Sequence, residues 1–132
     1  MQFIPRVGTT GEVTFTVETK HAIDFADGSM PAVLSTPWLI WFLEHSAREA
    51  VLPLLDEGES TVGMQVDVQH LAATPLGEQV TCRARVIHSE GTVISFQLEA
   101  RDEHELIARG IHKMSVIDVE RFAKRVERKK SG

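Results

Sequence analysis

Cysteine occurs once in the 132 residues, at Cys82, so the chain can build neither an internal disulfide nor a cysteine metal cluster. Such usage suits a reducing, cytoplasmic setting. A long apolar run is also missing. The longest uncharged apolar run, Pro31 to Leu43, is interrupted by Ser35 and Thr36, and a membrane-spanning helix needs roughly 20 apolar residues. No membrane partner is expected. The opening residues, Met1-Gln2-Phe3-Ile4-Pro5-Arg6, lack a basic segment followed by an apolar one, so no signal peptide is expected. Repeats, low-complexity tracts and a Pro/Gly/Ser linker are absent too, which points to one domain over 1–132. What is present is ordinary for a globular chain: 42% hydrophobic and 25% charged residues, values that exclude disorder and collagen-like repeats.

Positive charge is scarce except at the end. Residues 121–132 hold six basic groups and one acid, a charge of +5. The whole chain is −5, so the other 120 residues sum to −10. An acidic body argues against nucleic acid as a partner, which needs a basic face. The tail reads as a solvated terminal helix or as a basic surface for a phosphate-bearing ligand.

Hydrophobic patterning gives the elements. Val13, Phe15 and Val17 alternate with polar residues, as in a half-buried strand. A loop follows, with Asp24, Asp27, Gly28, Ser29 and Pro31. Thr36-Pro37 then reads as a helix start, a hydroxyl N-cap before a proline. The six residues Trp38 to Leu43 are all apolar, and a helix apolar on every side must be surrounded by protein. After Glu44 the helix turns amphipathic, and it stops near Pro53 or Gly58. Period-two runs follow at Val62 to Val68, Val80 to Val86 and Ile94 to Ala100, and Leu106 to Ile117 is a long last strand. Tight turns between them imply antiparallel pairing. The fold class is α+β: an antiparallel five-stranded sheet wrapped around one central buried helix.

Parity places the candidate chemistry. His70 shares parity with Val62, Met64, Val66 and Val68, so it belongs at the end of the face that covers the helix. Glu44 is the first acid after the apolar part of that helix. A carboxylate and an imidazole at the edge of one interior form an acid/base pair. Each also has a plain structural explanation. Glu44 can pair with Arg48 one turn on, His70 can cap a strand, Thr36 can be an N-cap and Gly63 can mark a bulge or a gap under the helix. The other histidines, His112 among them, lack metal-ligand spacing, and Cys82 reads as core filler.

The run Val33 to Glu44, then Gly63, then His70-Leu71-Ala72-Ala73-Thr74-Pro75-Leu76-Gly77, resembles the fluoroacetyl-CoA-thioesterase-like family of hotdog-fold enzymes. Val116 to Arg125 resembles that family's last strand and helix, and the likeness covers nearly the whole chain. The resemblance implies a hotdog fold and acyl-CoA hydrolysis by a homodimer joined sheet edge to sheet edge, with active sites at the interface. It places Thr36, Glu44 and His70 on catalytic positions and Gly63 where the acyl group is placed. It implies acyl-CoA as the small-molecule partner, with no metal and no organic cofactor. Glu44 would attack the thioester or activate water, His70 would move protons, and Thr36 would donate its hydroxyl or hold the carboxylate. Eight residues of helix rise about 12 Å, so Thr36 and Glu44 cannot touch within one straight helix. Either the chain folds back before the first turn, or the two act on different parts of the ligand, or Thr36 is only a cap.

Two departures bear on fluoroacetyl specificity. The stretch before the helix, Ala26 to Pro31, is short and has Phe25 as its only nearby aromatic; with Met30 it reads as a lid over the substrate. Met114 also stands where an arginine is expected. Trp38 and Trp41 suggest a filled tunnel floor and hence a short or compact acyl chain. Two other functions compete with hydrolysis: a non-catalytic acyl-CoA-binding hotdog module, and a hydratase or dehydratase of the same fold. The second would want an Asp with a His five residues on, and Asp24 is followed there by Ser29.

Overall fold

The computed structural model describes residue 1 and residues 4–132; Gln2 and Phe3, within the opening stretch tested above for a leader, lie outside the described residues. Strand β1 (Thr10–Thr16) leads through a short 3-10 turn (Thr19–His21) and a loop into helix α1 (Thr36–Val51). Strands β2 (Glu59–His70), β3 (Gln79–Glu90), β4 (Val93–Arg101) and β5 (Leu106–Asp118) follow, and helix α2 (Val119–Ser131) ends the chain. All pairings are antiparallel, in the order β1-β3-β4-β5-β2, so β1 and β2 are the sheet's edges. The sheet curls over α1 as the patterning leads one to expect, and this is the hotdog arrangement that the resemblance implies.

The inner face is apolar by alternation. Val80, Cys82, Ala84 and Val86 of β3 and Ile94, Phe96, Leu98 and Ala100 of β4 are fully buried, or nearly so, against Leu39, Leu43, Ala47 and Val51 of α1. Burial pushes the Cys82 thiol up to about 12, so this cysteine fills space rather than reacting. The helix comes so close to β1 that a Cβ at Gly11 would overlap the Ser46 carbonyl and the Ala50 nitrogen. Only glycine fits there.

Three expectations need correcting. Thr36 is not the N-cap: Ser35 is, its hydroxyl accepting from the Trp38 N–H at 3.4 Å, and Thr36 and Pro37 are the first two helical residues. The apolar start of α1 is not enclosed on every side, because Trp41 is 46% exposed. The parity of β2 breaks midway. Gly63 pairs with Met114 and Gln65 with Lys113, which leaves Met64 bulged out between them. A bulge inserts one residue and resets the faces. Val62 therefore pairs with Ser115, not with an inner residue, while Gly63, Val66, Val68 and His70 sit opposite Met114, His112, Gly110 and Ala108.

Candidate active site

Local hydrogen bonds bring Thr36 to His70. The segment entering α1 is stitched to the loop that leaves β2: the Leu34 N–H donates to the Thr74 carbonyl at 2.9 Å, and Val33 bridges Pro75. On the other side the Ser35 N–H donates to the His21 carbonyl at 2.8 Å. The first residue of α1 and the last of β2 thus meet, and Thr36 Oγ1 lies 2.8 Å from His70 Nδ1. Thr74 secures this loop. It is buried, and its hydroxyl donates to Asp102 at 2.9 Å. Burial pushes the Asp102 carboxyl up, but the N–H groups of His104 and Glu105 and the Thr74 hydroxyl outweigh it and hold the carboxyl below its ordinary value.

His70 is half-buried, and its Nε2 is buried with no hydrogen-bond partner among the described residues. Burial lowers its pKa, with the backbone of Ala72 opposing, so the ring is neutral near pH 7. Two tautomers serve different ends. With the Thr36 hydroxyl donating to Nδ1, Nε2 carries a proton to give. With Nδ1–H donating to Thr36, Nε2 is a base. A depression of about 350 Å³ surrounds the pair, rimmed by Phe25 and Met30 of the preceding loop and by Leu71 and Ala72.

Glu44 lies elsewhere. Two turns further along α1, it opens onto two adjoining depressions that share Gly63 and His112. A Cβ on Gly63 would stand 3.7 Å from Glu44 Oε2, so the missing side chain leaves room directly under the carboxylate. The ion pair weighed for Glu44 does not form, because Arg48 turns to Thr61 and Ser60, at 2.8 and 3.3 Å.

The chain therefore brings together Thr36 with His70, and Glu44 with Gly63, but not the two pairs. Met30 lines the depression around Thr36 and His70. Trp38 does not line either depression; it packs in an aromatic group with His21, Trp41 and Phe42, at 5.0, 5.5 and 6.1 Å. Sequence reasoning missed His112, set aside for want of metal-ligand spacing. The signal was available: in β5 it alternates in step with Met114 and Val116, which marks it as a buried, inward-facing histidine. Among the described residues, no three His, Cys, Asp or Glu side chains are grouped to hold a metal ion.

Comparison with known proteins follows the same outline. The family model for the fluoroacetyl-CoA-specific thioesterase matches residues 17–120. A fluoroacetyl-CoA thioesterase from Streptantibioticus cattleyicolor is 34% identical over 106 residues, 80% of this chain and 75% of that enzyme. A Thermus thermophilus protein, a thioesterase superfamily member, superposes with a TM-score of 0.90 at 28% identity, over 99% of this chain and 96% of its own. A variant of the fluoroacetyl-CoA-specific thioesterase, solved with fluoroacetate and CoA, superposes with a TM-score of 0.82 at 30% identity, over 89% of this chain and 98% of its own.

Proposed function

The chain belongs to the fluoroacetyl-CoA-specific thioesterase family and is an acyl-CoA thioesterase, and from that premise we propose that it hydrolyses a short or compact acyl-CoA through Thr36, Glu44 and His70. In this reading the full chain, 1–132, works as one domain in a cytoplasmic homodimer. In the reaction an oxygen from water joins the carbonyl carbon, the carbon–sulfur bond breaks, and the sulfur leaves as the CoA thiol once it is protonated.

The observation that carries this reading is the Thr36–His70 hydrogen bond at 2.8 Å, beside a buried, unpartnered Nε2. A neutral imidazole oriented by a hydroxyl is suited to carrying a proton near neutral pH. Glu44 attacks the carbonyl or takes a proton from water, and Gly63 leaves the acyl group space beneath it. Met114 faces Gly63 across the ladder, so this wall of the acyl space is a thioether. That favours a compact, uncharged acyl group. Met30 and Phe25 close over the Thr36 end. Trp38 stiffens α1 from behind through its aromatic neighbours instead of touching substrate.

The two half-sites call for a second copy. Strand β2 borders both and has a free edge, on which Met64 is 58% and Val66 38% exposed. Free apolar edges are covered in native proteins, and pairing of two β2 strands would close both depressions at one interface. The membrane plays no part in this reading, and among the described residues no helix is long and apolar enough to cross one.

Release of free thiol from a panel of acyl-CoAs of increasing chain length tests the function. Short, compact chains should be cleaved fastest, and no thiol from any of them would refute the hydrolase. Glu44→Gln keeps the shape of the side chain but can neither attack nor accept a proton. It should cost about a hundredfold or more in kcat, the scale of a lost general base. A variant that keeps more than about half of the wild-type rate would remove Glu44 from the chemistry.

A further inference from the structure

Glu44 has a buried neighbour that the mechanism above leaves unused. His112 is 2% exposed on the inner face of β5, opposite Val66. Its Nδ1 lies 3.0 Å from the Gln65 carbonyl oxygen. A carbonyl can only accept, so Nδ1 carries the proton, and in the neutral ring Nε2 carries the lone pair. Gln65 is the first paired residue after the Met64 bulge, so the irregularity in β2 is what holds this ring. A Cβ at Gly63 would be 3.5 Å from His112 Cε1 and 3.7 Å from Glu44 Oε2. Imidazole and carboxylate thus approach one glycine from two sides, and both line the same two depressions.

We propose that His112 is a positioning residue for Glu44: anchored by the bulge, its ring sets the aim of the carboxylate over the Gly63 floor. The proposal rests on Glu44 acting in thioester hydrolysis. Burial lowers the imidazole's pKa, while its bond to the Gln65 carbonyl and the nearby Glu44 charge raise it. The other charged or titratable groups on this depression are His45 and Arg48, both from α1, and Arg48 is already bonded to Ser60 and Thr61.

The test compares His112→Asn with Glu44→Gln on the best acyl-CoA substrate. Asparagine keeps an N–H for the Gln65 carbonyl but cannot titrate. The expected result is an unchanged Tm, a little-changed KM and a kcat lower by about a hundredfold, the scale of a misplaced reacting group. The double variant should be no slower than Glu44→Gln alone, as for groups acting as one unit. If His112→Asn does not fold, His112→Gln offers the same amide one methylene further out. Wild-type kcat would overturn the proposal and leave His112 as a brace for the bulge. Multiplying losses in the double variant would overturn it equally. Turnover surviving Glu44→Gln would instead bring down the catalytic reading of Glu44, and the proposal with it.

Discussion

Ser35 and Thr36 are adjacent hydroxyl residues with separate duties. Ser35 bonds to the Trp38 N–H and so caps the helix, while Thr36 points its hydroxyl at His70. From sequence the pair Thr36-Pro37 is the better helix start, since proline at the first helical position is common. The chain instead places proline second and spends the serine on the cap, which frees Thr36 for the imidazole. The two duties separate by substitution. Ser35→Ala should cost about 0.5–1 kcal/mol of stability, the range of a lost cap, and leave kcat near wild type. Thr36→Ala should leave Tm nearly unchanged and lower kcat, with Thr36→Ser restoring most of it. Thermal melts and thiol release on the same preparations check both. A Thr36→Ala variant that loses stability but not turnover would return Thr36 to a structural role.

Strand β2 and helix α1 show what an element adds beyond its residues. An unbroken strand would put Met64 on the inner face and Gly63 outside. The bulge at Met64 instead turns Gly63 inward beneath Glu44, keeps His70 inward at the far end, and aims the Gln65 carbonyl at His112. A single extra residue thereby serves three side chains of the site. The position of α1 itself depends on how closely it approaches β1. At Gly11 an added Cβ would meet backbone atoms of Ser46 and Ala50, which cannot swing away as a side chain can. Gly11→Ala should therefore destabilise by about 1–3 kcal/mol, as overpacking does, and lower the urea midpoint. A midpoint equal to wild type would mean that helix and sheet separate easily, and that the Glu44–Gly63 spacing is not rigidly held.

At the scale of the whole molecule, assembly and pH are the accessible readouts. Light scattering should give about twice the 14.7 kDa chain mass. Val66→Lys on the β2 edge should yield monomers with little turnover, because charge on an edge strand opposes pairing. A wild-type mass equal to one chain would refute the dimer. Stability should fall as the solution is acidified. His70 and His112 are both held below their ordinary value of 6.5 in the folded chain, chiefly by burial. As pH drops through 6.5 the unfolded chain takes up protons that the folded chain resists, so the balance shifts toward unfolding. Tm should therefore decline between about pH 7 and pH 5, and His112→Asn should flatten part of that decline. A Tm that is level across this interval would mean that neither ring is kept from its proton.

Alternation in β3 and β4 and the apolar block of α1 carried the fold class in the sequence itself, parity put forward Glu44 and His70 as candidates, and the resemblance of the His70 to Gly77 motif to a known family added Thr36 and Gly63. These are local signals, because side-chain period and turn chemistry act between near neighbours. Tertiary structure alone decided which groups meet. Thr36 and His70 are 34 residues apart and come together through the Leu34–Thr74 bond. The bulge that resets β2 depends on register against β5, which no period within β2 reveals. The burial of His112 beside Glu44 depends on a helix and a strand with three other strands between them in the chain. Contacts of this kind are settled by packing and pairing between distant segments, where local propensity is silent.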